Sequence, residues 1–254
     1  MRIETLNQDQ RKQALELAHE AVVSLSGTPV TAIEKFLEEH TARFDMLGAF
    51  NEEALTGFIA YEPEGLRIVF IAVNEKYRHT GIGTALCDTL RQKGTKHHLS
   101  RLSTNVPSSV KGFFDAYGFE QAGDPVKAGE FSILPMEYLL GREYLGRTVT
   151  VTVDRPYGSF HPHNPNVLYS LNFGYVDELI SDDGEFVDAW IYGLYEPAET
   201  FRGSVIGIIY HKDGPSRFIV GRIGETYRKE DVMDAVAFDE QYYDTRFIWA
   251  SDIN

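Results

Sequence analysis

The sequence predicts an α+β protein of two domains: a first part that mixes helices and strands, then a mostly β part ended by one helix. Three observations predict it. Before residue 140, helical and strand-like periodicities alternate. From Arg147 to Arg155 the run R-T-V-T-V-T-V-D-R switches to period two, and further strand-like segments follow. Between these styles Gly141 and Gly146 bracket a short link, which sets the domains at residues 1–142 and 147–254.

The elements follow in order. Arg2–Leu6 reads as a strand. Asn7 with Gln10 three residues on forms a capping box, and Ala14, Leu15, Ala18, Ala21, Val22 and Leu25 continue at helical spacing to Gly27. A second box, Thr31 with Glu34, opens a shorter helix through Phe36 and Leu37. Phe44–Phe50, Leu55–Tyr61 and Leu66–Val73 read as a three-stranded meander, broken at Asn51-Glu52-Glu53 and Pro63-Glu64-Gly65. Ile82, Ala85, Leu86 and Leu90 share a helix face that stops near Gly94. Leu99–Val106 is a strand, Ser108–Tyr117 a short helix ended by Gly118, and Phe131–Leu140 a strand. In the second half, Val167–Val176, Phe186–Tyr192, Val205–Tyr210 and Arg217–Gly221 read as strands, and Arg228–Tyr243 as the helix.

Composition narrows the function classes. The net charge of −14 opposes nucleic-acid binding, which requires a basic surface to neutralise phosphates. A single cysteine, Cys87, cannot form an internal disulfide, and no secretory leader or membrane-spanning run is visible. A cytoplasmic protein is expected. In so acidic a chain, the cluster Lys76, Arg78, His79 is informative. It lies within L-R-I-V-F-I-A-V, then N-E-K-Y-R-H-T-G-I-G, then T-A-L-C-D-T-L. Glycine admits a ligand close to the backbone, and a helix start offers unpaired amides and a positive dipole end. By chemistry alone this suits a pyrophosphate. Glycine spacing by itself equally fits a strand-to-helix packing turn. Glu75 and Asp88 read as solvated acids, and Arg91, Lys93, Lys96, His97 and His98 as cations that compensate the negative helix end.

R-H-T-G-I-G after a strand ending I-A-V resembles the acetyl-CoA signature of the GNAT N-acetyltransferase superfamily, Arg/Gln-x-x-Gly-x-Gly/Ala. F-F-D-A-Y-G-F (Phe113–Phe119) is similar to the family's Phe-Tyr-x-x-x-Gly-Phe segment. The resemblance covers about residues 1–140 and implies a mixed sheet flanked by helices. It implies that Arg78, His79, Thr80, Gly81, Ile82, Gly83 and Thr84 bind the pyrophosphate of acetyl-CoA. It also implies that Ile71, Ala72 and Val73 pair with the pantetheine arm, and that an amine attacks the thioester directly. The family's tyrosine acid aligns with Phe114, which has no proton to give. Tyr117, one helical turn on, is then the candidate acid. A non-catalytic acyl-CoA-binding module is the alternative. The acceptor would be a small-molecule or peptide amine, and the net charge favours a cationic one by steering.

The second half has its own constellation. Asp183-Gly184 is a hairpin-turn pair, and Phe186, Asp188, Trp190 and Tyr192 share one strand face, so a buried Asp188 would need a partner. V-D-R-P-Y-G-S, Y-S-L-N-F-G-Y-V and D-G-E-F-V-D-A resemble segments of the soluble inorganic pyrophosphatases. That resemblance implies a small OB-like β-barrel with helical additions. It also implies Asp183, Glu185 and Asp188 as Mg²⁺ ligands for hydrolysis of a phosphoanhydride. Phe160 and Ser216 replace a phosphate-binding lysine and a metal-binding acid of that pattern, and Gln241-Tyr242-Tyr243 lacks its lysine. A degenerate domain serving packing, homodimer formation or ligand sensing is therefore expected.

Overall fold

The computed structural model describes residues 1–26, 43–96, 100–128, 131–161, 164–180, 186–212 and 214–251. The predicted Thr31–Glu34 box with its helix, and His97, His98, Asp183, Gly184 and Glu185, lie outside the described residues. The chain forms two compact units, Met1–Gly94 with Arg101–Leu139, and Thr95–Ser100 with Leu140–Asn254.

The first unit is a mixed sheet with helices. It begins with β1 (Arg2–Thr5) and α1 (Gln8–Ser26), followed by β2 (Asp45–Asn51), β3 (Ala54–Tyr61) and β4 (Ile68–Val73). Then come α2 (Ile82–Lys96), β5 (Arg101–Pro107), α3 (Lys111–Tyr117), β6 (Glu120–Gln121), β7 (Val126–Ala128) and β8 (Phe131–Leu139). The strand order is β1-β2-β3-β4-β5-β8-β6, with β7 also on β8. All pairs are antiparallel except β4 with β5. The capping box forms as read: Asn7 N–H donates to Gln10 Oε1 and Gln10 N–H to Asn7 Oδ1, both at 2.9 Å. These bonds satisfy two amides that a helix start leaves unpaired. Ala14, Leu17 and Ala18 of α1 pack on Met46, Phe58, Ala60 and Ala72, so one sheet face is sealed by that helix.

The second unit is a closed barrel. Its strands are β9 (Thr148–Arg155), β12 (Asn172–Ile180), β13 (Phe186–Ile191), β14 (Thr200–His211) and β15 (Arg217–Gly221), joined as β15-β13-β12-β9-β14 and closed by β14 on β15. A hairpin of β10 (Phe160–His161) and β11 (Asn164–Leu168) stands apart, and β16 (Thr245–Trp249) adds to β14. The predicted strand Val167–Val176 divides between β11 and β12, because Tyr169 and Leu171 in the intervening turn are buried in the core. The predicted Val205–Tyr210 is the later part of a 12-residue strand that begins at Thr200. Its first half pairs with β9, and its second half with β15 and β16.

Helix α4 (Lys229–Glu240) covers one face of the barrel. Val232 and Val236 pack there on Trp190, Ile206, Ile209 and Ile219. On the opposite face of the same strands Ala189, Ile191, Ile208, Phe218 and Val220 are also buried, as closure requires. The last turn of α4 carries a buried carboxylate. Glu240, 3% exposed, accepts from Trp190 Nε1 at 2.8 Å and Arg217 Nη1 at 2.7 Å, and its other oxygen meets His211 Nε2 at 2.8 Å. Three neighbouring strands thus hold one helix end by its side chain. Burial pushes the Glu240 carboxyl up, but the His211 bond and the Arg217 charge outweigh it and keep the group below its ordinary value.

The barrel also turns on a close approach at a bulge. A Cβ at Gly174 would lie 2.0 Å from the Thr152 carbonyl oxygen of β9. Gly174→Ala is expected to cost about 3 kcal/mol or more, since backbone must move. Gly112→Ala, in α3 with open space around it, is expected to stabilise by about 0.5–1 kcal/mol. Denaturant unfolding of both variants checks the contrast.

Candidate functional site

The site of the first unit begins where two strands part. Strand β4 pairs with β3 along its length, as Ile59↔Ile71, Phe58↔Ala72 and Gly57↔Val73. With β5 it makes one partner pair, Ile68↔Thr104, fastened by a bond from buried Thr104 Oγ1 to the Ile68 carbonyl at 3.1 Å. Beyond that pair no β4–β5 register is formed. The Asn74 amide donates to Thr56 O at 2.9 Å, which sets the phase of the β3–β4 ladder. Alternation along the strand then turns the N–H and C=O of Ile71 and Val73 away from β3, towards the parted edge, and those of Ala72 towards β3. The Val73 carbonyl accepts from Arg78 Nε at 3.3 Å.

The loop after β4 is ordered by its own bonds. Asn74 Oδ1 accepts from the Lys76 amide at 3.1 Å and caps a single 3₁₀ turn, Glu75–Tyr77. Thr80 Oγ1 donates to Tyr77 O at 2.6 Å. His79 then takes φ +61° and Gly81 φ +88°. The Gly81 carbonyl accepts from the Ala85 amide at 2.9 Å, so Gly81 is the residue from which α2 starts. The amides of Gly81, Ile82, Gly83 and Thr84 have no carbonyl one turn back to bond. The two glycines do different work. At Gly81 a Cβ would meet nothing, so the backbone angle alone demands glycine, and the space before the helix start is open. At Gly83 a Cβ would lie 3.0 Å from the Phe113 ring, so that position is small to let α3 pack close.

Two hollows flank these parts. One, of about 270 Å³, is lined by Leu17 and Glu20 of α1 with Val73, Asn74, Glu75, Lys76 and Arg78. The other, of about 390 Å³, is lined by Thr84, Asp88 and Arg91 of α2, Phe113, Ala116 and Tyr117 of α3, and Tyr138 of β8. The structure therefore brings Val73 together with Arg78, and Thr84 with Tyr117. The Tyr117 hydroxyl donates to Asp88 Oδ1 at 2.9 Å, and Arg91 lies 3.5 Å from the same oxygen. Asp88 is thus half-buried and shared between two donors, where the sequence suggested a solvated acid. Burial, then the bond to Asp88, push the Tyr117 phenol well above its ordinary value. Phe114, which the sequence resemblance aligns with the family's tyrosine, is 2% exposed and meets Phe113 and Phe119 edge to face, each at 5.1 Å.

A parallel strand pair that opens in front of a glycine-bearing helix start is a cleft for an extended ligand with an anionic end. A family model described as an acetyltransferase (GNAT) domain matches residues 11–140, 130 of the 254 residues. The chain belongs to the GNAT acetyltransferase family. No curated protein matches it. Among solved structures it is similar to a GCN5-related N-acetyltransferase from Rhodopseudomonas palustris, at 16% identity over 55% of this chain and 95% of that one, with a TM-score of 0.49. It is similar to a ribosomal-protein-alanine N-acetyltransferase from Brucella melitensis at 20% identity, over 55% and 100% of the two chains, with a TM-score of 0.43. It is also similar to a PaiA N-acetyltransferase from Thermoplasma acidophilum in complex with coenzyme A, at 19% identity, over 54% and 100%, with a TM-score of 0.44.

In the second unit, Asp188 sits half-buried on β13 opposite Tyr175, while Asp183 and Glu185 lie outside the described residues. Among the described residues no group of three or more His, Cys, Asp or Glu is placed to hold a metal ion. The family match ends at residue 140, before the barrel. Among the described residues no helix is long and apolar enough to cross a membrane. Sequence reasoning missed the bonded set around Glu240. Its members lie 50, 29 and 23 residues from Glu240, and nothing local marks that acid as buried.

The loop also carries a testable strain. A residue with a Cβ at the φ of His79 costs about 1 kcal/mol. His79→Gly is expected to raise stability by about 0.5–1 kcal/mol, read as an upward shift in Tm.

Proposed function

We infer that residues 1–139 bind acetyl-CoA and pass its acetyl group to an amine. The observation that carries this is the single β4–β5 partner pair. It leaves the outward backbone groups of Ile71 and the Val73 amide outside the β4–β5 ladder beside the start of α2, with the Val73 carbonyl holding Arg78, in a chain of the GNAT family. When bound, acetyl-CoA supplies an activated acyl group whose thiolate is a fair leaving group.

The chain's own groups do the rest. The amides of Gly81, Ile82, Gly83 and Thr84 and the dipole of α2 take the pyrophosphate, with Arg78, His79, Thr80 and Lys76 beside them. The N–H and C=O of Ile71 and the N–H of Val73 take the amides of the pantetheine arm, while the Val73 carbonyl holds Arg78 and Ala72 keeps the strand in register on β3. This holds the acyl carbon at the parted edge, where positioning against an amine provides much of the rate. A C–N bond forms and the C–S bond breaks; the amine loses a proton and the sulfur gains one.

Tyr117 is the hydroxyl nearest to an acid's role, and its proton is engaged by Asp88. A phenol raised by burial, with its proton already donated to Asp88, is a poor match for protonating the departing sulfur. We assign it to the wall of the ligand cleft. The acceptor is a small-molecule or peptide amine.

The test is calorimetric binding of coenzyme A together with thiol release on an amine panel. Arg78→Ala is expected to weaken coenzyme A about tenfold, since it removes a charge from a phosphate contact. Tyr117→Phe is expected to keep kcat within about threefold, against the loss of about 10²–10⁴ for a removed general acid. Absence of coenzyme A binding refutes the reading. Binding without turnover on any amine leaves a non-catalytic acyl-CoA module.

For residues 147–254 the pyrophosphatase-like reading rests on sequence motifs, with Asp188 the one ligand candidate among the described residues. Phosphate release from pyrophosphate with Mg²⁺, abolished in Asp188→Asn, is its required outcome. Release unchanged in that variant, or none at all, rejects it. With Phe160 and Ser216 in place of the pattern's lysine and acid, the expected result is none.

A further inference from the structure

His211, at the end of β14, is buried with both ring nitrogens on acceptors. Nδ1 lies 2.6 Å from the Pro215 carbonyl and Nε2 lies 2.8 Å from Glu240 Oε2. A carbonyl offers no proton. The carboxylate of Glu240 offers none either, because the permanently charged Arg217 and the bond from Trp190 favour its ionised form. Both ring nitrogens must therefore donate, which makes the ring an imidazolium.

The groups around it come from every neighbouring element. Glu240 and Asp239 belong to α4, Arg217 to β15, and Trp190 to β13. The Tyr243 ring, just past α4, meets His211 edge-on at 5.0 Å and lies 5.4 Å from the Arg217 guanidinium. Lys212 and Asp244 pair at 3.6 Å beside it, and His211 itself pairs with Thr245 of β16. Asp239 bonds Arg217 and so competes with Glu240 for the same cation.

We propose that the His211–Glu240 pair is a proton-operated latch that fixes the carboxyl end of α4 and the following Tyr243 segment to the barrel, and that loss of one proton from His211 releases it. With the ring neutral, one nitrogen presents a lone pair to an acceptor at under 3 Å. Where that nitrogen is Nε2, the helix end loses one of the three side chains that hold Glu240 and loosens, while Trp190 and Arg217 keep the carboxylate charged and bonded and the barrel stays closed. The direction is fixed. The bond from Glu240 raises the His211 pKa against the burial that lowers it, and Pro215 adds to the rise. The latch is therefore closed below the ordinary histidine value of 6.5 and opens as pH rises through the higher folded value. Glu240, held low, opens it separately only on strong acidification.

The experiment follows the full chain by NMR from about pH 6 to about pH 10, reading the His211 ring carbons, the Trp190 indole N–H and the protection factors of α4 amides. His211 is expected to titrate above 6.5. The Trp190 signal should move with the same midpoint, and protection of the last turn of α4 should fall about tenfold for each unit of raised pKa. Glu240→Gln is expected to move the His211 midpoint down, and His211→Gln to give α4 protection that no longer varies over this range. If either variant fails to fold, the wild-type titration decides alone. A His211 midpoint at or below 6.5, or α4 protection and Trp190 indifferent to the His211 titration, overturns the latch.

Discussion

The first unit turns on one constraint: β4 and β5 run parallel and meet at one partner pair, Ile68 with Thr104. Parallel neighbours cannot be joined by a tight turn and need a crossover, here α2. The crossover must leave from the carboxyl end of β4, so the start of α2 falls beside the edge that β5 abandons. A ladder that continued past Ile68 would satisfy the outward groups of Ile71 and Val73 internally. Because it stops, the sheet keeps backbone groups outside the β4–β5 ladder and has a helix dipole at the end of that strip. The fastening from Thr104 Oγ1 to the Ile68 carbonyl uses a side chain at the fork and leaves the groups beyond it untouched.

The loop shows how local chemistry serves this topology. The Asn74 cap and the Thr80–Tyr77 bond bring the chain through a short turn. His79 and Gly81 then reverse it in left-handed conformations. A residue with a Cβ at one of these positions stores backbone strain, and its imidazole stays exposed in front of the helix start. Arg78 is tied back to the Val73 carbonyl through Nε, which keeps its cation beside the strip. The barrel solves a different problem. It consumes its strand edges by closure and uses a buried carboxylate to secure the one helix that covers it.

What the sequence revealed was mostly local. The Asn7–Gln10 box, the meander and the Gly118 helix stop (φ +108°) depend on residues within a few positions, and each formed as read. The glycine loop was visible, but not the division of labour within it, because the open front of Gly81 and the Phe113 contact at Gly83 depend on α3 packing from 30 residues away. Strand lengths in the barrel misled for the same reason. Thr200–Ser204 have too few apolar residues to stand out as a strand and are held by pairing with β9. β16 went unseen between a helix and the chain's last residues. Glu240 at the end of an acidic helix has the pattern of a solvated residue, and only the barrel makes it a core group.

The same distinction bears on the acid question in the cleft. Sequence spacing brought Tyr117 within one turn of Phe114, which made the phenol a substitute for the family's tyrosine. Packing gives each residue a separate place. Phe114 belongs to an aromatic set with Phe113 and Phe119, where a hydroxyl would need a partner that the surrounding rings do not supply. Tyr117 has its hydroxyl on Asp88, and the negative charge there stabilises the protonated phenol further. On the reading proposed above, the cleft would hold and aim an acyl donor without Tyr117 as its acid, and the rate would depend on how much of the acceptor amine is neutral.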